Sequence, residues 1–399
     1  MVATNVEVTT LECSMPQDNV RIFASAVQCL AKVGKDLILE GVIVDDGESY
    51  MTVRTLNDSK TAFTVFTFHS SFFESFSLPG CVSENGYRRV SGKFPLKSCL
   101  CAFRSIRNME RFKITFVQQG ARHFVTFIGL CKGGLVKRHE FSYEDSDIVD
   151  ASFNPATASH KITAYTSVFR GILTHMHHAE EVLFSVHPDT GLRIRSFHQN
   201  GDQRTEFSTL KTDIQLDKND LDLFDIAEVA RNQDIFLTFG LREFKALLHF
   251  CESASVPSMA LLFNDPGAPF LLTSDITCTK DTSIDQPSNT GRTFVAKLVM
   301  ATYVSDEHEE QEQEQEIGQT TNPQNPNKEH VQTKNQNGSV HESPTSKTTS
   351  ETASKPDFNS DDDTQKVYLT KNQDYSQMSV SGSEESQATF HPPIKRKRS

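Results

Sequence analysis

No run of about 20 apolar residues occurs anywhere in the 399-residue chain, which excludes an apolar membrane-spanning helix. No long apolar run lies near Met1 either, so no secretory signal is expected. A Gly-x-Ser-x-Gly elbow and a Walker phosphate loop are both missing, and with them the local turns that expose a nucleophilic serine or cradle a nucleotide. Metal-ligand spacing is also missing. His175, His177, His178 and His187 share no acid or cysteine at ligand distance along the chain, and Cys99 and Cys101 stand too close for a zinc ribbon. Acid pairs such as Asp45-Asp46 fall in predicted turns, where aspartate is expected. These absences predict no metal, no cofactor and no enzyme activity. The rival from that class is a metal-dependent nuclease, which would need several convergent carboxylates, and the sequence names none.

The composition that is present changes abruptly near Val304. All eight cysteines and all but two of the 29 phenylalanines precede it. Beyond it come the Glu/Gln run of residues 309–316 and a long stretch rich in Ser, Thr, Asn, Gln and Lys. Such a segment buries too little apolar area to offset its backbone entropy, so residues 305–399 are predicted to be a disordered tail. The tail holds 10 Lys and Arg against 17 Asp and Glu, and the rest of the chain 30 against 35. An acidic total argues against nucleic-acid binding unless the cations are gathered on one surface. The cysteines within apolar patterns, Cys29, Cys99 and Cys251, fit a reducing compartment. Lys395, Arg396, Lys397 and Arg398 form a nuclear-localisation patch, so the expected compartment is the nucleus.

One pattern runs twice, about 145 residues apart. Phe94–Lys97 (FPLK) opens an amphipathic segment, and Phe239–Arg242 (FGLR) opens another; each leads to a β-type run, Arg111–Val117 and Ser258–Phe263. A repeat on this scale predicts two copies of one domain. The first copy reads as strand Leu11–Met15, helix Val20–Val33 capped by Asp18-Asn19 and ended by Gly34, then strands Leu37–Leu39, Val42–Val44, Tyr50–Thr55 and Ala62–Phe68. Helix Leu96–Ile106 and strands Arg111–Gln118 and His123–Leu130 complete it. The second copy reads as helix Thr166–His178, strands Glu181–Val186, Leu192–Phe197, Thr205–Ile214 and Asp234–Phe239, helix Leu241–Ser253, and strands Met259–Phe263, Phe270–Thr273 and Thr293–Val304. Many strands with two helices per copy make an α+β fold. The predicted division is 1–140, a connector 141–159, 160–304, and the tail 305–399.

The polar faces of the four helices carry cations. Arg21 and Lys32 lie opposite the stripe Ile22, Phe23, Ala26, Val27, Leu30 and Val33. Lys97, Arg104 and Arg107 belong to the second helix, Arg170 to the third, and Arg242 and Lys245 to the fourth. Gathered on one surface, these eight would make a positive track for a phosphate backbone, with nothing that suggests base readout.

Residues 11–304 resemble sliding clamps, and more narrowly the Rad-nine subunit family of the checkpoint clamp, the nine-one-one complex. The resemblance rests on Val53–Ala62 (VRTLNDSKTA) with Phe72-Phe73, Phe153–Ala156 (FNPA), Phe239–Phe244 (FGLREF), Phe250–Ala254 (FCESA) and Phe263–Gly267 (FNDPG). It implies two tandem PCNA-like clamp domains with sheets outside and helices lining a ring around double-stranded DNA. It also implies two partner clamp subunits, of Rad-one and Hus-one type, and a clamp loader. The tail then implies phospho-regulation. Thr364, Ser376 and Ser386 precede glutamine, Ser343 precedes proline, and Ser360 and Ser381 have acids after them. In this family a phosphorylated tail recruits a BRCT-repeat adaptor that activates the checkpoint kinase. The alternative on the same fold is a homotrimeric replication processivity clamp.

Overall fold

A computed structural model describes residues 7–44, 47–79, 86–119, 122–146, 151, 153–176, 179–197, 211–227, 234–276 and 293–304. The first half of the chain forms β1 (Glu7–Pro16), α1 (Gln17–Val33), β2 (Asp36–Val44), β3 (Tyr50–Leu56), β4 (Ala62–His69), β5 (Ser75–Ser77), β6 (Tyr87–Pro95), α2 (Leu96–Ala102), β7 (Met109–Gln119), β8 (Arg122–Cys131) and β9 (Val136–Ser142). The second half forms β10 (His160–Tyr165), α3 (Thr166–His175), β11 (Glu181–His187), β12 (Gly191–Phe197), β13 (Asp213–Leu216), β14 (Leu223–Asp225), β15 (Ile235–Gly240), α4 (Leu241–Ser253), β16 (Ser258–Phe263), β17 (Phe270–Thr273) and β18 (Phe294–Met300).

The duplication is visible ladder by ladder. In the first half β1 lies between β5 and β7, β8 and β9 follow β7, and β2 lies between β6 and β3 with β4 beyond. The second half repeats this with β10 between β14 and β16, β17 and β18 following, and β11 between β15 and β12 with β13 beyond. The helix starts correspond too. The N–H of Leu96 donates to the Lys35 carbonyl at 2.9 Å, and that of Leu241 to the Glu180 carbonyl at 2.7 Å. One ladder has no counterpart: β18 pairs with β4, from Phe294 opposite Phe68 to Met300 opposite Ala62. It joins the two halves into one nine-stranded antiparallel sheet. The strands equivalent to β18 and β4 are β9 and β13, and each has a paired neighbour on one side only among the described residues.

Packing follows from alternation along β4. Phe66 and Phe68 enter the main core under the helices, while Phe63 and Val65 face the other side. There they meet Val299, Leu271, Leu262 and Ala260, and Ala151 and Phe153 of the segment between the halves cover them. On the helix side Phe250 of α4 sits 4.5 Å from Phe66 and 5.8 Å from Phe294, ring centre to ring centre, directly over the β4–β18 joint. Thiols are part of this core. Burial pushes Cys13 and Cys99 up and Cys29 up to about 12, as expected of structural rather than reactive sulfur.

Three local readings change. Leu37–Leu39 and Val42–Val44 are one strand, β2, because Glu40 between them is not a break: its buried carboxylate meets Arg54 and Arg89 and accepts from the Thr52 hydroxyl at 3.3 Å. The helix after Phe94 stops at Ala102 instead of Ile106. Phe103 turns into the core, Ser105 adopts left-handed φ 61°, and a 3₁₀ turn at Ile106–Asn108 leads into β7. Helix α1 begins at Gln17 after Pro16, without a side-chain cap, and Asn19 donates instead to the Phe72 carbonyl at 2.5 Å. Most of the run predicted at Thr205–Ile214, the histidines 177 and 178, and the whole tail with its six candidate phosphosites and basic end lie outside the described residues.

Candidate nucleic-acid interface

The four helices pack side by side as α2, α1, α4 and α3, so their outer faces make one surface. Each buries its apolar stripe, which leaves the polar residues between the stripes for that surface.

The predicted cations divide by what they touch. Lys32, Lys97, Arg104 and Arg107 are exposed, and their side chains have no recorded partner among the described residues. Arg21 is exposed and pairs weakly with Asp18 at 3.4 Å, one turn earlier. Arg170 pairs with Glu252 of α4 at 2.8 Å, and both ends stay half in water. Arg242 is engaged differently: its Nε and Nη2 donate to the Lys32 carbonyl at 3.0 and 2.7 Å, in the last turn of α1. Lys245 Nζ donates to the Met176 carbonyl at 2.8 Å, where α3 ends. Burial lowers the Lys245 ammonium from its ordinary value. Both side chains sit where carbonyls lack helical partners and the helix dipole is negative. They fasten α4 to its neighbours on either side, and the hydroxyls of Ser25 and Ser253, 2.6 Å apart, add a further α1–α4 tie.

Arg104 and Arg107 lie past the end of α2 rather than on its face. Arg104 lines a groove with Cys101 and with Lys137, Arg138 and His139 of β9. Lys137 Nζ donates to the Arg104 carbonyl at 2.9 Å and fixes the groove wall. The β9 cations escaped the sequence reading because that stretch ends where the connector was placed and has no alternation of apolar and polar residues; only the observed burial alternates, with Lys137, His139 and Phe141 half-buried and Val136, Arg138 and Glu140 exposed.

Of the residues weighed as metal ligands, His177 and His178 lie outside the described residues. Cys99 is buried and Cys101 exposed. Among the described residues no three His, Cys, Asp or Glu side chains are placed to hold a metal ion, and no helix is long and apolar enough to cross a membrane.

Comparisons with known proteins agree with the layout of sheets and helices. A family model described as Rad9 matches residues 23–303. The chain is 24% identical over 262 residues to the cell cycle checkpoint control protein Rad9 of Drosophila melanogaster, covering 66% of this chain and 53% of that one. It is 21% identical over 257 residues to the DNA repair protein rad9 of Schizosaccharomyces pombe, covering 57% and 59%. The match thus spans little more than half the length of these relatives. Among solved structures, PCNA of Entamoeba histolytica superposes with a TM-score of 0.51 at 11% identity, over 74% of this chain and 100% of that one. PCNA of Thermococcus kodakaraensis gives 0.50 at 13%, over 73% and 100%. Identities this low establish the fold, which is the PCNA-like clamp fold.

Proposed function

The chain belongs to the Rad9 family, and from that premise we propose that it is one subunit of a heterotrimeric DNA-damage checkpoint clamp. The observation that carries the proposal is the pair of unfilled edges. The β4–β18 ladder joins the halves internally, and its equivalents, β13 and β9, are each open on one side among the described residues. Two different open edges, each filled by the matching edge of a neighbour, give head-to-tail contacts, which close into a ring when the rotation allows; that the neighbours are other subunits rather than copies of this chain rests on the family. With two clamp domains per subunit, split as 1–140 and 160–304 about the connector 141–159, three subunits make a sixfold-like ring.

In this reading the helix row faces the hole and the exposed Arg21, Lys32, Arg104, Arg107 and Arg170 face duplex DNA, with Lys137 extending the positive surface past α2. Contacts of this kind are to phosphate and independent of sequence. A closed ring holds on by topology, so they need not be tight. The other two positions belong to clamp subunits of Rad-one and Hus-one type, a clamp loader opens the ring, and the work is done in the nucleus, addressed by Lys395–Arg398. The tail is the signalling element. Phosphate at Ser343, Ser360, Thr364, Ser376, Ser381 or Ser386 adds about −1.5 to −2 charge and acceptor oxygens, which suit the cationic pocket of a BRCT-repeat adaptor. No step of this is catalytic.

The test is topological. The assembled heterotrimer, placed by a clamp loader on a nicked circular plasmid, is expected to stay bound in about 1 M salt, where the screening length is about 3 Å, and to run off once the plasmid is linearised. Release by salt from the intact circle would defeat the ring reading.

A further inference from the structure

Lys97 and Arg242 occupy the same place in the two copies. Each is the second residue of its helix, after the matched strands β6 and β15, and each helix opens with the same N–H bond to the loop before the second strand of its copy. Arg242 spends its guanidinium across the internal joint, on the last-turn carbonyl of α1 at Lys32. Lys97 is exposed and has no recorded partner among the described residues. The strand that accompanies α4 at the internal joint is β18; the one that accompanies α2 is its counterpart β9, which is open among the described residues.

We propose that Lys97 is an assembly residue, whose ammonium donates across the β9 edge to the last-turn carbonyls of the helix that a neighbouring clamp subunit places beside α2. This rests on the ring reading and removes Lys97 from the DNA-facing set. The occupant follows from the internal copy of the joint. A partner edge strand pairs with β9 as β4 pairs with β18, and the partner helix that stands in for α1 presents the negative end of its dipole, with carbonyls left over by the helix, to a cation at this position. Lys97 carries more of this joint than Arg242 does of the internal one. Helix α2 ends at Ala102, whereas α4 runs on to Ser253, and so α2 has no residue to repeat the Ser25–Ser253 tie.

The experiment uses the full chain co-expressed with its two clamp-type partner subunits, and compares wild type, Lys97→Ala and Lys97→Arg. Subunit affinity is measured by concentration-dependent dissociation of the purified complex, folding by urea denaturation of the chain alone, and DNA contact by the salt dependence of duplex binding. Loss of a charge-assisted hydrogen bond predicts association weaker by on the order of 10-fold in Lys97→Ala. It also predicts unchanged unfolding of the isolated chain, an unchanged salt slope, and recovery in Lys97→Arg, which reproduces what Arg242 does. Unaltered association in Lys97→Ala, or a salt slope shallower by about one unit with association intact, overturns the proposal and returns Lys97 to the DNA. Failure of the wild-type chain to assemble at all would instead count against the ring reading, so the two failures are told apart.

Discussion

Glu40→Ala is expected to cost about 3–5 kcal/mol of folding stability, the range found when one partner of a buried ion pair is deleted. Glu40 is 4% exposed and Arg54 only 1%, on neighbouring strands of the nine-stranded sheet. The carboxylate is shared by Arg54 and the half-exposed Arg89, and Arg54 Nη2 also donates to the Thr52 hydroxyl at 2.9 Å. Without the carboxylate, a guanidinium that has given up its hydration faces a second one, and their repulsion adds to the unrecovered desolvation. Glu40→Leu combined with Arg54→Leu should recover much of the loss, because replacing both partners of a buried pair with apolar groups is often neutral. Urea denaturation followed by circular dichroism measures both. A loss below about 1 kcal/mol in the single variant would show that water reaches the pair and that the sheet does not depend on it.

Phe250→Ala should be of similar size, about 3–5 kcal/mol, the usual cost of emptying a buried aromatic site. Here the location makes the effect specific. Phe250 lies over the only ladder that connects the halves among the described residues, in contact with Phe66 on one side of it and Phe294 on the other. The cavity therefore opens where β4 and β18 meet, and amide protection in these strands is expected to fall before that of β1, β7 and β8. Hydrogen exchange read by mass spectrometry checks this. Uniform loss of protection would mean that the joint is no weaker than the body of either half.

How far the fold was legible depends on whether the information was local. The repeated FPLK and FGLR openings and the apolar stripes of α1 and α4 are local, and they led to the duplication and to four helices at close to their observed places. The partner of each strand is not local. Nothing in the run Ala62–Phe68 says that it lies beside Phe294–Met300, although its apolar residues on both faces agree with a strand buried on both sides. Glu40 looked like an interruption because the cation that neutralises it is 14 residues away on the next strand. Most of β9 was left without an element, only its end at Phe141 and Ser142 falling in the predicted connector, because its seven residues hold just two apolar side chains, Val136 and Phe141, and these point to opposite faces.

The helix-face cations were legible as a set but not in their roles. Charge and spacing alone placed Arg242 and Lys245 with Lys97 and Arg104. The carbonyls that receive the first two belong to residues 210 and 69 positions away in the chain, so periodicity within one helix could not separate a cation that fastens helices from one left for a partner. The internal joint separates them, because it shows what a cation at that position does when its neighbour is present.

The central claim is that this chain closes a ring with partners rather than with copies of itself, and molecular mass in solution tests it most directly. Light scattering on the purified full chain is expected to give the single-chain mass of 44.7 kDa, and on the complex co-purified with its partners the mass of one copy of each of three different subunits. A stable species of three times the single-chain mass from this chain alone would contradict the account and make it a homotrimeric clamp.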